Sequence, residues 1–190
     1  MSKALAKREE SCLIVVDLQD SFLAPIARKE EIVKRAKFLI EIANLLEIPL
    51  LATEQYPEKM GHLTRTILEI LPPSARCFGK MCFSSYGAEG FENAWSSLKR
   101  SQAIIVGIET HICVTQTVFD FLNMQNVRDV IVCFDAMGSR LNERDELLAL
   151  ERLRVAGAVL AHTESVAYEW LGQAGTEEFR KALEIVKRYS

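Results

Sequence analysis

The chain has 190 residues, of which 49% are hydrophobic and 26% charged, and its formal net charge is −3. This length is enough for one domain with a sizeable core. Interspersed acidic and basic residues give no support for nucleic-acid binding, which usually shows as a basic surplus on one face. The apolar runs are too short for a membrane span, and the first ten residues lack the apolar segment of a secretory signal, so we expect neither.

Five cysteines occur in the chain, at Cys12, Cys77, Cys82, Cys113 and Cys133. Their odd number and scattered positions argue against a disulfide framework. The sequence has no C-x-x-C pair, which argues against a zinc ribbon and a thioredoxin-type motif. Cys12, Cys77 and Cys133 lie in strand-like runs and are predicted to be small core residues. The cysteine usage therefore predicts a reduced, cytoplasmic location.

Predicted strands alternate with predicted helices along the chain. Short apolar runs predict buried strands at 11–17, 48–54, 76–80, 103–106, 127–134 and 158–161. Apolar residues at helical spacing predict helices at 30–46, 63–71, 91–99, 114–125, 143–156, 164–171 and 176–189. We expect an α/β fold with three Rossmann-like layers, in which a central, about six-stranded parallel sheet is flanked by helices on both faces. Residues 1–190 are expected to form a single domain.

The stretch 103–125 contains the candidate nucleophile. An apolar run rich in β-branched residues leads through Gly107 into a helical pattern, and Cys113 falls in the first turn of that helix. Unpaired N–H groups and the positive end of the helix dipole favour a thiolate, so the pKa of Cys113 is expected to fall below the usual value of about 8.5. The alternative is a small buried residue that packs the helix start.

The carboxyl ends of parallel strands meet at one sheet edge, where ligands of such folds bind. The sequence places Asp17, Glu54, Lys80, Cys113 and Asp135 after its predicted strands. A carboxylate, an ammonium and a thiol form a nucleophilic set, in which the carboxylate accepts the thiol proton and returns it to a leaving amine. Each member also has a structural explanation, such as a turn cap for Asp17 and a solvated side chain for Lys80.

The chain resembles the isochorismatase-like cysteine hydrolases. The resemblance is carried by Val-Val-Asp-Leu-Gln-Asp-Ser-Phe at 15–22, Lys-Met-Cys-Phe-Ser at 80–84 and Gly-Ile-Glu-Thr-His-Ile-Cys-Val at 107–114. Further matches are Asp-Ala at 135–136, Ser-Arg at 139–140 and Gly-Ala at 157–158, so the resemblance extends over residues 11–171. The segment 53–61 is similar to a branch of poorly characterised isochorismatase-domain proteins.

The resemblance implies a catalytic triad of Asp17, Lys80 and Cys113, with a covalent intermediate on Cys113 that water resolves. It also implies a cis peptide bond at Ile108–Glu109, which directs the backbone N–H groups of Glu109 and Cys113 at an oxyanion, and assembly into a homo-oligomer. Nicotinamidases of this superfamily bind a metal through an Asp-x-His pair, whereas this chain reads Glu-Gln-Tyr at 54–56. We therefore expect no metal and no cofactor. The cysteine at the nucleophile position favours a small amide-like C–N substrate.

The side chains expected to bind this substrate are Gln19, Phe22, Tyr56, Phe83 and Ile112, which suit a small, partly apolar or flat molecule. The leading hypothesis is a metal-independent cysteine hydrolase. One alternative is a non-catalytic oligomeric scaffold or interaction protein with a vestigial pocket. Another is a thiol redox sensor, for which Cys82 is the candidate resolving cysteine.

Overall fold

The computed structural model describes residues 5–189 and contains one sheet of six parallel strands. The strands are β1 Ser11–Val16, β2 Leu50–Gln55, β3 Arg76–Lys80, β4 Gln102–Ile108, β5 Asp129–Gly138 and β6 Val159–Ala161. Their order across the sheet is β3-β2-β1-β4-β5-β6. The predicted α/β fold with a six-stranded parallel sheet is therefore confirmed.

Helices cover both faces of the sheet. They are α1 Asp20–Leu23, α2 Lys29–Leu45, α3 Pro57–Met60, α4 Arg65–Leu68, α5 Phe91–Leu98, α6 Thr115–Asn123, α7 Glu143–Ala156, α8 Thr163–Leu171 and α9 Glu177–Tyr189. The prediction of one helix over 114–125 was incomplete, because a π-helical turn over Thr110–Val114 precedes α6. Within residues 5–189, no helix is both long and apolar enough to cross a membrane.

The three layers follow from the alternation of side chains along buried strands. In β1, Leu13 and Val15 join the core formed with α2, α8 and α9. Cys12, Ile14 and Val16 join the core on the other face, formed with α5, α6 and α7. Because both faces of β1 are buried, its sequence is a continuous apolar run rather than an alternating one.

Strands β1 and β4 meet where the strand order reverses, and Gly107 is what allows them to meet so closely. Gly107 pairs in register with Val16. It has a φ of 127°, and a Cβ atom built on it would lie 2.1 Å from the carbonyl oxygen of Val16. Any larger residue would therefore push β4 away from β1. Such a reversal point is where α/β sheets bind ligands.

The cysteine predictions hold for two of the three proposed core residues. Cys12 and Cys133 are buried, whereas Cys77 is exposed. The prediction for Cys77 was wrong because β3 forms the edge of the sheet. Exposed positions therefore alternate with buried ones near the end of this strand.

Candidate functional site

Asp17, Lys80 and Cys113 come from three different parts of the chain and meet at one end of the sheet. Asp17 directly follows β1, Lys80 is the last residue of β3, and Cys113 lies in the π-helical turn after β4. The Lys80 Nζ atom donates to Asp17 Oδ2 at 2.7 Å, and both side chains are buried. Because β2 lies between β3 and β1, the long Lys80 side chain spans the end of β2 to make this contact.

The buried ammonium of Lys80 is surrounded by oxygen acceptors. Besides Asp17, it donates to Gln55 Oε1 at 2.6 Å and to the carbonyl oxygen of Phe83 at 2.9 Å. The carbonyl oxygen of Cys82 lies farther away, at 3.4 Å. An ammonium group has three protons, so these contacts satisfy it fully and compensate its removal from water.

The carboxylate of Asp17 is fixed through both of its oxygens. Lys80 binds Oδ2, and the hydroxyl of Thr53 donates to Oδ1 at 2.8 Å. Burial raises the pKa of Asp17, while the Lys80 charge and these hydrogen bonds act in the opposite direction. The geometry thus holds a carboxylate with a raised proton affinity beside the thiol.

The thiol of Cys113 shares a cavity wall with the Asp17 carboxylate, and its Sγ atom donates to Gln55 Oε1 at 3.8 Å. The pKa of Cys113 is raised to about 12, because burial and the Asp17 charge, which raise it, outweigh the Lys80 charge, which lowers it. The expectation of a lowered pKa was therefore wrong. Desolvation outweighs the positive charge, so the thiol keeps its proton at neutral pH and requires a base to react.

The turn that presents Cys113 begins with a cis peptide bond between Ile108 and Glu109, as the resemblance implied. The N–H groups of Ile112 and Val114 donate to the carbonyl oxygen of Glu109 at 3.0 and 3.2 Å and close the turn. Glu109 and Cys113 both contribute to the wall of the same cavity.

This cavity has a volume of about 130 Å³. Two members of the predicted triad and three predicted substrate-binding residues contribute to its wall, namely Asp17, Cys113, Phe22, Phe83 and Ile112. Gln55, Ile108 and Arg140 contribute as well, and the sequence had not pointed to them as pocket residues. A larger cavity of about 550 Å³ lies against α2, but none of the predicted triad residues lies in its wall.

Gln19 and Tyr56, also predicted to bind substrate, are not part of this wall. Gln19 is fully buried, and its Nε2 donates to the carbonyl oxygens of Gln55 and Gly61 at 3.0 and 2.6 Å. Its Oε1 accepts from the Gln55 N–H at 2.7 Å. Its polar atoms therefore tie β2 to the following loop, which leaves Gln19 a structural residue. Tyr56 precedes α3 in the left-handed backbone region.

Glu54 and Asp135 also lie at this end of the sheet, but their carboxylates accept hydrogen bonds from backbone N–H groups. Glu54 accepts from the N–H of Leu63 at 2.8 Å and pairs with the exposed His62. Strand β5 extends past residue 134, so Asp135 lies within it, where it accepts from the N–H and hydroxyl of Thr163 and anchors α8.

Arg140 lies at the rim of the cavity, where its guanidinium donates to the Glu109 carboxylate. The only signal for it in the sequence was its place in the Ser-Arg pair at 139–140. Across residues 5–189, no three His, Cys, Asp or Glu side chains are grouped so that they could hold a metal ion.

Comparison with known proteins gives a consistent family. The model of the isochorismatase domain matches residues 11–165. Isochorismatase domain-containing protein 2A of Mus musculus is 36% identical over 179 residues, which are 94% of this chain and 84% of the relative. Isochorismatase family protein 1B of Dictyostelium discoideum is 33% identical over 183 residues, 95% of this chain and 87% of the relative.

Among solved structures, the MAR1 ribonuclease from Caenorhabditis elegans superimposes with a TM-score of 0.89 at 33% identity. The match covers 97% of this chain and 93% of that one. The likeness therefore extends to the fold of nearly the whole chain.

Proposed function

The chain belongs to the isochorismatase family, and from this premise we propose that it hydrolyses a small amide-like C–N bond through a covalent intermediate on Cys113, with no metal or cofactor. The observation that carries the proposal is the buried Lys80–Asp17 ion pair beside the Cys113 thiol, at the wall of a small cavity. It supplies a base, a nucleophile and a fixed positive charge in one place.

In the first half of the reaction, Asp17 accepts the Cys113 proton as Sγ attacks the carbonyl carbon of the substrate. The negative charge moves to the carbonyl oxygen, where the N–H groups of Glu109 and Cys113 bind it. The C–N bond then breaks, Asp17 returns the proton to the leaving amine, and a thioester remains on Cys113. The charge of Lys80 stays constant and holds Asp17 in place.

In the second half, a water molecule enters the place of the amine. Asp17 takes a proton from this water as its oxygen attacks the thioester carbon. The C–S bond breaks, the acid is released, and the proton returns to Cys113. Asp17 thus acts in turn as base and acid, a role that its raised pKa supports.

The cavity supports a small substrate. A volume of about 130 Å³, with Phe22, Phe83 and Ile112 in its wall, fits a few-atom amide with a flat or apolar group. The C. elegans neighbour bears the name ribonuclease, but an RNA strand is recognised through cationic surface. Here the rim cation Arg140 is paired with Glu109, and the net charge is −3.

The raised pKa of Cys113 also counts against the redox sensor, because sensor cysteines are low-pKa thiols. The scaffold alternative predicts a folded protein that binds its partners but turns over no substrate. The experiment below separates both alternatives from the hydrolase.

The test is a panel of small amides, ureas and imides, with RNA as an additional substrate, assayed with wild type and Cys113→Ala. We expect turnover of a C–N substrate that falls by about 10³-fold or more in Cys113→Ala. Mass spectrometry of the quenched reaction should show an acyl group on the peptide that contains residue 113. Cys77→Ala is the matched control, because this exposed cysteine lies on the sheet edge.

Wild-type turnover by Cys113→Ala would refute the mechanism. Neither turnover nor adduct across the whole panel would favour the scaffold, and cleavage of RNA alone would assign the site to phosphodiesters.

We further propose a homo-oligomer in the cytoplasm. Helix α7 exposes Leu147, Leu148 and Val155. Such a surface is typical of an interface between copies. All five cysteines are free, which suits a reducing compartment. Cell fractionation that recovers the protein outside the cytoplasm would contradict this location.

A further inference from the structure

A chain of buried hydroxyl groups lies behind the base. We propose that Thr53, supported by Ser85 and Thr117, is a positioning residue that holds Asp17 in its ionised form and links it to the backbone of the nucleophile turn. The proposal rests on the proposed function, since it concerns the base of that reaction.

The contacts form one connected network. Thr53 Oγ1 lies 2.8 Å from Asp17 Oδ1 and 3.2 Å from Ser85 Oγ. The N–H of Ser85 donates to Thr117 Oγ1 at 2.9 Å, and the Thr117 hydroxyl donates to the carbonyl oxygen of Cys113 at 2.7 Å. The network therefore runs from β2, through the turn at Ser85 and the first turns of α6, to the residue that carries the nucleophile.

The direction of these bonds follows from counting protons. Each hydroxyl has one proton and two acceptor sites. An ionised Asp17 only accepts, so the proton of Thr53 points at Asp17. The proton of Thr117 is used on the Cys113 carbonyl oxygen, which is nearer than Ser85 Oγ at 3.2 Å. The Ser85 proton is then left for Thr53, and the order of donation is Ser85 to Thr53 to Asp17.

The network is shielded from water, which strengthens its effect. Thr53, Ser85 and Thr117 are all fully buried, and Asp17 is only 2% exposed. A hydrogen bond to a charged acceptor in such surroundings is stronger than a neutral one. Thr53 thus stabilises the carboxylate against the burial that disfavours it.

A substitution of Thr53 leaves the charges of the titratable groups around Asp17 unchanged. Lys80 approaches from β3 and Cys113 from the turn after β4, and the Asp17 charge acts more weakly on the exposed Cys77 of β3. Glu109 and Arg140 lie in the same cavity wall as Asp17 and are paired with each other. Since their charges stay the same, a change at Thr53 reaches the reaction through the proton affinity of Asp17.

The experiment measures the rate at which iodoacetamide alkylates Cys113 as a function of pH, resolved from the other cysteines by peptide mass spectrometry. Asp17→Asn should abolish the acidic limb of this profile, which assigns the limb to Asp17. In Thr53→Val, the limb should move to higher pH by about one unit, because the carboxylate loses a charge-assisted hydrogen bond. Thr53→Ser retains the hydroxyl and should restore the wild-type limb.

Two further variants provide a second test and a control. Ser85→Ala should shift the limb in the same direction by less, and it decides the question should Thr53→Val fail to fold. Thr115→Val is the matched control, since this buried threonine donates to the carbonyl oxygen of Thr110 and lies outside the network. Its limb should coincide with that of wild type.

A wild-type limb in Thr53→Val, or equal shifts in Thr53→Val and Thr53→Ser, would overturn the proposal. Alkylation needs no substrate, so the result is independent of the amide panel. A shifted limb with neither turnover nor adduct across the whole panel would support the positioning role and contradict the hydrolase.

Discussion

Replacing Lys80 by Met is the most direct test of the buried ion pair. Met retains an unbranched apolar side chain but removes the ammonium, so Asp17 remains buried with no opposite charge. The Lys80 and Asp17 side chains are 0% and 2% exposed, which leaves little water to compensate. Breaking such a pair from one side destabilises a fold by about 3–5 kcal/mol.

The variant should also show a defined dependence on pH. Without Lys80, the pKa of Asp17 rises above a value that burial has already raised. A carboxyl group with a folded pKa above its unfolded value of about 3.9 favours the folded state at low pH and loses this contribution as pH rises toward the folded pKa. Wild type loses the same contribution up to its own, lower folded pKa, so the destabilisation of Lys80→Met relative to wild type should grow as pH increases above the folded pKa of Asp17 in wild type.

The assay is urea unfolding of wild type, Lys80→Met, Asp17→Asn and the double variant at several pH values. The double variant contains no unpaired carboxylate and no unpaired ammonium. It should be more stable than the sum of the single losses predicts by about 2 kcal/mol. Additive losses, or a destabilisation of Lys80→Met that does not change with pH, would refute the reasoning.

Two other predictions concern backbone packing and assembly. Gly107→Ala places a Cβ 2.1 Å from a backbone oxygen at a φ of 127°, so thermal unfolding should show a loss of at least about 3 kcal/mol. Gly138→Ala is its matched control, because its Cβ would lie 2.1 Å from Cδ1 of Ile32, a methyl that can rotate away at about 1–2 kcal/mol. Equal losses of stability in the two variants would show that the close approach of β1 and β4 does not restrict the residue at position 107. Light scattering of wild type should give a mass that is a multiple of 21.4 kDa. The double variant Leu147→Glu, Leu148→Glu should give a smaller mass. A monomeric wild type would contradict the interface on α7.

The sequence predicted those features that depend on local pattern and on one rule of α/β topology. The apolar run of β1 ends at Asp17, and the run of β4 leads through Gly107 toward Cys113, so the shared carboxyl edge of a parallel sheet brings the two together. The periodicity of α7 gave its bounds correctly, because helix length depends mainly on local spacing.

Features that depend on tertiary contacts could not be predicted from the sequence. Strand alternation decides that Gln55 rather than its neighbour Glu54 belongs to the cavity wall, and one residue of register reverses that choice. The pKa of Cys113 depends on how far the folded chain excludes water, and the turn position alone suggested the opposite direction. Gln19 was misread for a related reason, since its hydrogen bonds are made with residues far along the chain.

The energetics of the site support the proposed catalytic role rather than a vestigial pocket. A buried ion pair is a weak source of stability, and apolar residues of similar volume often replace such pairs at no cost. Asp17 and Lys80 nevertheless lie beside a protonated thiol at the wall of a cavity, with the carboxylate held on both oxygens. A packing role needs none of these features, whereas the proposed base, which must accept a proton and return it, needs a carboxylate held in a fixed position beside the thiol.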